Sequence, residues 1–213
     1  MSSVRSRVSA AILAGGHARR FGGADKASLL IDGERIIDRQ LAVLSAVADD
    51  IRIVSNDPDR YAGLAIPVIP DVIPGAGALG GVYSALLATA RARVLIVACD
   101  LPFVTADLLA RLVAECGPDV DAVIPRTTGG LEPLCAIYAA RIAPVLRRRI
   151  DSGALQVAAV AGDLRVRELG PEALAAYDRD GRLFVNVNTP HDYARATAGI
   201  EVTSEPFKDR ITE

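Results

Sequence analysis

The 213 residues are 51% hydrophobic and 23% charged, enough for a sizeable buried core and unlike a disordered chain. Aromatics make up 4%, Trp is absent and the net charge is −2, so neither the basic surface of a duplex binder nor a base-stacking platform is present and no nucleic-acid partner is expected. No apolar run approaches the roughly 18 residues of a membrane helix, and the stretch that follows Met1–Ser9 is too short for a signal-peptide core. The cysteines, Cys99, Cys116 and Cys135, are odd in number and not at metal-ligand spacing, which fits a reducing compartment. A cytoplasmic protein is the expectation.

Val8–Leu13 reads as a buried strand running into Gly15-Gly16. A polar, glycine-containing loop spans 17–26. Ser28–Ile31 is a short strand turned by Asp32-Gly33, and Ile37–Ala46 has helical spacing. Ile51–Val54 is a strand closed by Ser55-Asn56-Asp57-Pro58, and Ile66–Ile69 a strand closed by Pro70-Asp71. A second glycine-rich loop covers 74–81, before a helix over Val82–Arg91. Val94–Ala98 is a continuous apolar run of the central-strand type, ending at Cys99-Asp100-Leu101-Pro102. Thr105 caps a helix through Glu115. Strands follow at Ala122–Ile124 and Leu134–Tyr138, then a helix at Arg141–Ile150 whose Arg147-Arg148-Arg149 run suits a solvated C-terminus. Leu164–Leu169 alternates, Leu183–Val187 reads as a strand, and Pro190 opens a last helix.

Strands alternating with helices predict a three-layer α/β/α sandwich, Rossmann-like, with a mainly parallel sheet. One domain is expected over residues 1–200, with a polar tail over 201–213. Ligands of such sheets sit at the carboxyl ends of the strands. That singles out the loops at 14–26, 71–81 and 99–103.

In Leu13-Ala14-Gly15-Gly16, a strand ends directly in glycines, where backbone N–H groups can approach an anion. Arg19 or Arg20, and Lys26, can add phosphate-binding charge. The spacing is not that of a Walker A loop, and an ordinary turn with exposed basic residues fits it equally. Asp100, directly after a central strand, can hold Mg²⁺ or cap the next helix. Gly75-x-Gly77-x-x-Gly80, with Asp100 twenty residues beyond, satisfies a dinucleotide fingerprint, although the preceding strand ends too early for one.

The segment Leu13-Ala-Gly-Gly-His-Ala-Arg-Arg20-Phe-Gly-Gly-Ala-Asp-Lys26 resembles the signature of the molybdenum cofactor guanylyltransferase family and its nucleotidyltransferase relatives. Arg20 and Lys26 match its arginine and lysine, and Gly23 lengthens the middle by one residue. Cys99-Asp100-Leu101-Pro102-Phe103 resembles the family's metal-binding motif, and Gly77 and Gly81 match the fixed points of its Gly-Pro-Leu-x-Gly element, with Ala78 in place of proline. Glu132-Pro133-Leu134 and Phe184-Val-Asn186-Val-Asn188-Thr-Pro190 resemble two further family segments, so that the likeness spans about residues 8–198.

The resemblance implies transfer of GMP from GTP to molybdenum-bearing molybdopterin, forming the guanine dinucleotide cofactor and pyrophosphate. It implies backbone contacts to the nucleotide from Leu13, Ala14, Gly15 and Gly16, with Lys26 and Arg20 on phosphates and Asp100 on Mg²⁺. Asp71 contacts the nucleotide, Asn56 (or Ser55) the guanine, and Asn186 and Asn188 the acceptor. Gly153-Ala154-Leu155-Gln156 departs from relatives that carry basic residues there; Arg147, Arg148 or Arg149 could compensate. Alternatives are a CTP-dependent sister enzyme and a non-catalytic NAD-binding or cofactor-chaperone protein. Partners are the two small-molecule substrates and, transiently, molybdenum-cofactor insertion proteins or chaperones. Monomer and weak homo-oligomer are both left open.

Overall fold

The computed structural model describes residues 8–15 and 26–197. Its strands are β1 (Val8–Leu13), β2 (Leu30–Ile31), β3 (Glu34–Arg35), β4 (Asp50–Val54), β5 (Val68–Ile69), β6 (Arg93–Ala98), β7 (Ala122–Thr127), β8 (Gly130–Leu131), β9 (Cys135–Ala139) and β10 (Val166–Leu169). Its helices are α1 (Ile36–Ser45), α2 (Gly77–Leu87), α3 (Ala106–Glu115), α4 (Ala143–Asp151), α5 (Pro171–Leu174) and α6 (Pro190–Thr197). The main sheet runs β5-β4-β1-β6-β9-β7-β10, with β8 paired to β7. Only β9 and β8 run against their neighbours in that sheet among the described residues.

The central strands β1 and β6 are apolar but for Ser9 and Arg93, because helices cover both faces. Ala10, Ile12, Leu95 and Val97 pack with Ile37 and Leu44 of α1 and Leu108, Leu109 and Leu112 of α3. The alternate residues Ala11, Leu13, Val94 and Ile96 pack with Leu79, Val82 and Leu86 of α2 and Leu146 of α4. Period-2 side-chain alternation thus splits each strand between two cores, which makes the fold the three-layer sandwich expected. A third, smaller cluster of Ile31, Ile36, Val187 and Ala196 ties the β2–β3 hairpin to α6.

Local chemistry sets most boundaries. Asp32 (φ 53°) and Gly33 (φ 82°) both take the left-handed conformation that a two-residue hairpin turn requires. The Thr105 hydroxyl accepts from Leu108 N–H (3.3 Å) and starts α3 as expected. Two expectations fail. Helix α2 begins at Gly77, five residues before the sequence suggests, so the second glycine loop is in large part the first turn of a helix. Leu183–Val187 forms no strand: Val185 N–H turns back to Arg182 C=O, and Val187 N–H reaches across to Asp100 C=O. Leu183 and Val187 are both buried, which gave the segment its strand-like apolar spacing without a ladder to pair in.

At the far edge, Asp121 closes the sheet. Its carboxylate accepts from Arg165 N–H (3.0 Å) and from the guanidinium groups of Arg165 and Arg141. These bonds hold the carboxyl well below its ordinary value of 3.8, despite partial burial. A depressed folded-state value means stability present at neutral pH and lost as pH falls below the ordinary carboxylate range. Asp121→Asn is therefore expected to lower the thermal midpoint at pH 7, with the gap from the parent closing below about pH 4; melts across that range check it. No disulfide joins the three cysteines, and burial pushes the Cys135 thiol up to about 12, a small apolar core residue and not a reactive one.

Candidate active site at the carboxyl edge of the sheet

Strand order reverses beside β1: the chain goes from β1 to β4 and β5 on one side, then returns to β6 on the other. A crevice opens at such a switch point, outside the carboxyl ends of β1 and β6. Leu13 and Ala98 are register partners there. Cys99 N–H donates to Leu13 C=O (3.0 Å), so the turns after the two strands leave the sheet side by side. Ala14 N–H is committed to Val54 C=O (2.9 Å), which removes it from the amides expected to hold a nucleotide. Gly15 is exposed, and a Cβ there would meet nothing within 4 Å, leaving a backbone surface open to a ligand. Gly16 and Arg20 lie outside the described residues; Lys26 opens a short 3₁₀ turn, Lys26–Ser28.

The backbone of the turn that carries Asp100 is held from several directions. Leu101 N–H returns to Ala98 C=O (3.2 Å), and Asp100 C=O accepts from Val187 N–H (2.9 Å). Gln40 Nε2, on α1, donates to Ala98 C=O (2.8 Å) and Leu101 C=O (3.0 Å). Val187 is fully buried in the third cluster, beside Phe103, so its neighbours Asn186 and Asn188 flank a residue pinned to Asp100. The Asn188 and Thr189 amides donate to Asp192 Oδ2 (3.0 and 2.8 Å), and Thr189 Oγ1 accepts from Asp192 N–H (3.1 Å). This reciprocal cap both starts α6 and fixes the asparagine turn. Arg182 stacks over Phe103 (3.8 Å to the ring centre) and bonds Ala196 C=O, clamping the same corner.

Glu132-Pro133-Leu134 sits across the same edge. Leu134 C=O accepts from Ala98 N–H (2.8 Å), and the Tyr138 hydroxyl donates to Pro133 C=O (2.7 Å). The Glu132 carboxylate accepts from the Thr127 hydroxyl (3.2 Å). Burial, together with the negative charge of Asp100, raises the Glu132 carboxyl above its ordinary range. Two carboxylates therefore feel one another at the mouth of the crevice. No group of three or more His, Cys, Asp or Glu side chains is set to hold a metal among the described residues. Such a donor set fits Mg²⁺, which takes one or two carboxylates and completes its shell from substrate phosphates and water.

The opposite wall is a reciprocal pair. Asn56 Nδ2 donates to Asp71 Oδ2 and Asp71 N–H donates to Asn56 Oδ1, both at 2.9 Å. Ser55 is buried and bonds Asp57 N–H (3.1 Å), so Asn56 and not Ser55 is brought to Asp71. The buried Ser84 hydroxyl of α2 accepts from Val72 N–H (2.9 Å) and steadies the loop beyond Asp71. A Cβ on Gly81 would stand 3.5 Å from Leu13 and 3.8 Å from Asp71 Oδ1, so α2 passes between the two walls with room for a methyl group. Gly77 has φ +59°, a conformation that favours glycine. Gly80 is the crowded position, where a Cβ would lie 2.8 Å from the Ala76 Cβ and 3.3 Å from Ile73 C=O. Gly80→Ala is expected to destabilise the fold by about 1–3 kcal/mol, with Gly81→Ala close to neutral; paired thermal melts distinguish them.

The sequence did not single out Gln40, Ser84, Arg182 or Thr127. In the arginine run, Arg147 pairs with Asp151 (2.8 Å) and Arg149 with Asp163 (2.5 Å). The dinucleotide fingerprint lacks its structural context, since residues 70–74 separate Gly75 from β5 and that strand lies at the sheet edge.

A glycine turn and an acidic turn meet at the switch point of a doubly wound sheet, faced by an Asn–Asp pair, and this defines a Rossmann-like domain of the nucleotidyltransferase class. The family model described as MobA-like NTP transferase domain matches residues 10–168, and the chain belongs to that family. It is 36% identical, over 91% of its length and 96% of the relative's, to the molybdenum cofactor guanylyltransferase of Desulfosudis oleivorans. It is 37% identical to a probable molybdenum cofactor guanylyltransferase of Chloroflexus aggregans, covering 94% of this chain and 99% of that one. Among solved structures, molybdopterin-guanine dinucleotide biosynthesis protein A of Archaeoglobus fulgidus superposes with a TM-score of 0.75 at 30% identity, covering 89% of this chain and 96% of that one.

Proposed function

We propose that the chain transfers the guanylyl group of GTP to the terminal phosphate of molybdenum-bearing molybdopterin, giving the guanine dinucleotide cofactor and pyrophosphate. The observation that carries this reading is the near full-length likeness to relatives named for that activity. Its local support is the junction of Asp100 with the segment bearing Asn186 and Asn188.

An acceptor phosphate oxygen attacks the α-phosphorus in line. The new P–O bond forms as the α–β bridging bond breaks, and pyrophosphate leaves with the electron pair. A phosphate monoester is largely ionised at neutral pH, so no general base is required and His191 has no part in proton transfer. Gly15 admits the phosphates to the backbone, while Lys26 and Arg20 neutralise them. Asn56 and Asp71 receive the base; Asn186 and Asn188 face the acceptor through amides able both to donate and to accept. Asp100 would hold Mg²⁺, with the nearby Glu132 carboxylate adding negative charge. Bound there, the ion supplies positive charge to phosphate oxygens that become more negative in the transition state. The protein's own share is positioning and fixed charge.

Purified protein supplied with molybdenum-loaded molybdopterin, Mg²⁺ and each of GTP, CTP, ATP and UTP separately should release pyrophosphate and form dinucleotide with GTP alone. Turnover only with CTP would keep the acceptor and overturn the base. GTP binding without turnover would point to another acceptor.

A further inference from the structure

We propose that Gln40 is a positioning residue for Asp100, setting the angle at which its carboxylate meets the metal–nucleotide complex; this rests on the reading of Asp100 given above. Gln40 is 1% exposed, in the middle of a helix whose other buried residues, Ile36, Ile37 and Leu44, are all apolar. Its Nε2 donates both hydrogens, one to Ala98 C=O and one to Leu101 C=O. Those two carbonyls bracket Cys99-Asp100, so a single side chain grips the turn on both sides of the acidic residue. The reverse amide orientation would set Oε1 against two carbonyl oxygens, so the acceptors fix which way the group points.

Gln40 Oε1 is buried with no hydrogen-bond partner among the described residues. An apolar residue at this position would avoid that penalty, as its neighbours on α1 do. What the amide adds is the pair of bonds to the Asp100 turn. Val187 N–H fixes the same turn at the carbonyl of Asp100 itself. Backbone anchors before, at and after Asp100 fix the point and direction at which its side chain leaves the main chain. Groups that orient a metal ligand typically affect metal affinity or activity by about 10- to 100-fold when lost.

The test is Gln40→Met, which keeps length and approximate volume and removes both donors. Three quantities are compared with the parent at a temperature well below either melting point: the Mg²⁺ concentration for half-maximal turnover, kcat, and KM for GTP at saturating metal. Binding of Mn²⁺ to the GTP-loaded protein, followed by electron paramagnetic resonance, gives metal affinity without turnover. The expected result is a rise of about tenfold or more in the Mg²⁺ requirement and in the Mn²⁺ dissociation constant, with KM for GTP changed less than about threefold. A lower melting point with both metal constants unchanged would overturn the proposal, because a merely structural glutamine moves the first and not the second. Should Gln40→Met not accumulate in folded form, Gln40→Leu, apolar like its buried neighbours on α1, removes both donors without adding charge and must move the metal constants in the same direction. Asp100→Ala serves as the control arm. If it keeps the parent's metal dependence, the Asp100 reading itself fails; if it loses it while Gln40→Met does not, only the role of Gln40 fails.

Discussion

Asp100→Ala is expected to lower pyrophosphate release from GTP by about 10³-fold, with the thermal midpoint close to that of the parent. The two halves of this expectation have separate causes. The anchors of the turn are main-chain groups: Leu101 N–H on Ala98 C=O, Val187 N–H on Asp100 C=O, and the Gln40 amide on the carbonyls of Ala98 and Leu101. None of them is lost when the side chain is cut back to a methyl group. What goes is a full negative charge at the carboxyl end of β6, where the sheet's reversal opens the crevice. Glu132 stands near enough for the charge of Asp100 to raise its carboxyl, but one of its two oxygens accepts from Thr127 and the group is partly buried, which leaves it less able than Asp100 to hold the ion. Asp100→Asn keeps the shape and loses the charge, and should fall almost as far if charge rather than size is the need. Turnover unchanged in Asp100→Ala would sink the metal assignment.

Much of this site was legible before the fold was known, and the reason is geometric. β1 and β6 are buried on both faces, so each ends in an apolar run, Ala10–Leu13 and Val94–Ala98, whose end marks the crevice. Asp32-Gly33 and Thr105 carried their turn and cap in their own chemistry. The failures also share a cause. Gln40 lies four residues from both Ile36 and Leu44, on the buried face of α1, but no local pattern reports what a polar residue there would bond; its partner is a turn 58 residues away. Leu183 and Val187 have strand-like spacing because both reach the core, but the hydrogen bond that places Val187 goes to a loop, which no local pattern reports. The start of α2 was hidden because Gly77, Gly80 and Gly81 have poor helix propensity. Tight packing against Ala76 and passage between Leu13 and Asp71 explain small residues there better than propensity does. Polar residues that act on the site from behind, Gln40 and Ser84, were invisible for the same reason that they matter: each is buried, and each spends its hydrogen bonds on someone else's backbone.

Asp71→Asn is expected to raise KM for GTP by about 10- to 100-fold while changing kcat much less, because it removes ground-state and transition-state binding alike. Asn56 Nδ2 occupies Asp71 Oδ2, and the amide of Asp71 occupies Asn56 Oδ1, so the pair holds itself in one orientation before any ligand arrives. Asp71 Oδ1 lies on the α2 side, toward Gly81, where the absence of a side chain keeps the approach open. Guanine offers two adjacent N–H donors on its pairing edge, N1–H and the exocyclic amino group. An ionised carboxylate answers donors only, and a bond to a charged acceptor contributes about 1.5–3 kcal/mol, which sets the size of the KM change. Cytosine offers one amino donor beside an acceptor nitrogen, which a carboxylate repels, and Asn in place of Asp71 removes that repulsion. The variant should therefore lose discrimination as well as affinity, with the ratio of kcat/KM for GTP to that for CTP falling by about tenfold or more. Asn56→Ala, which frees Asp71 without removing its charge, should shift the same ratio in the same direction by a smaller factor. Steady-state rates with both nucleotides at saturating acceptor measure all of this; a loss of GTP affinity with the ratio intact would assign Asp71 to the ribose or phosphates and leave the choice of base to other residues.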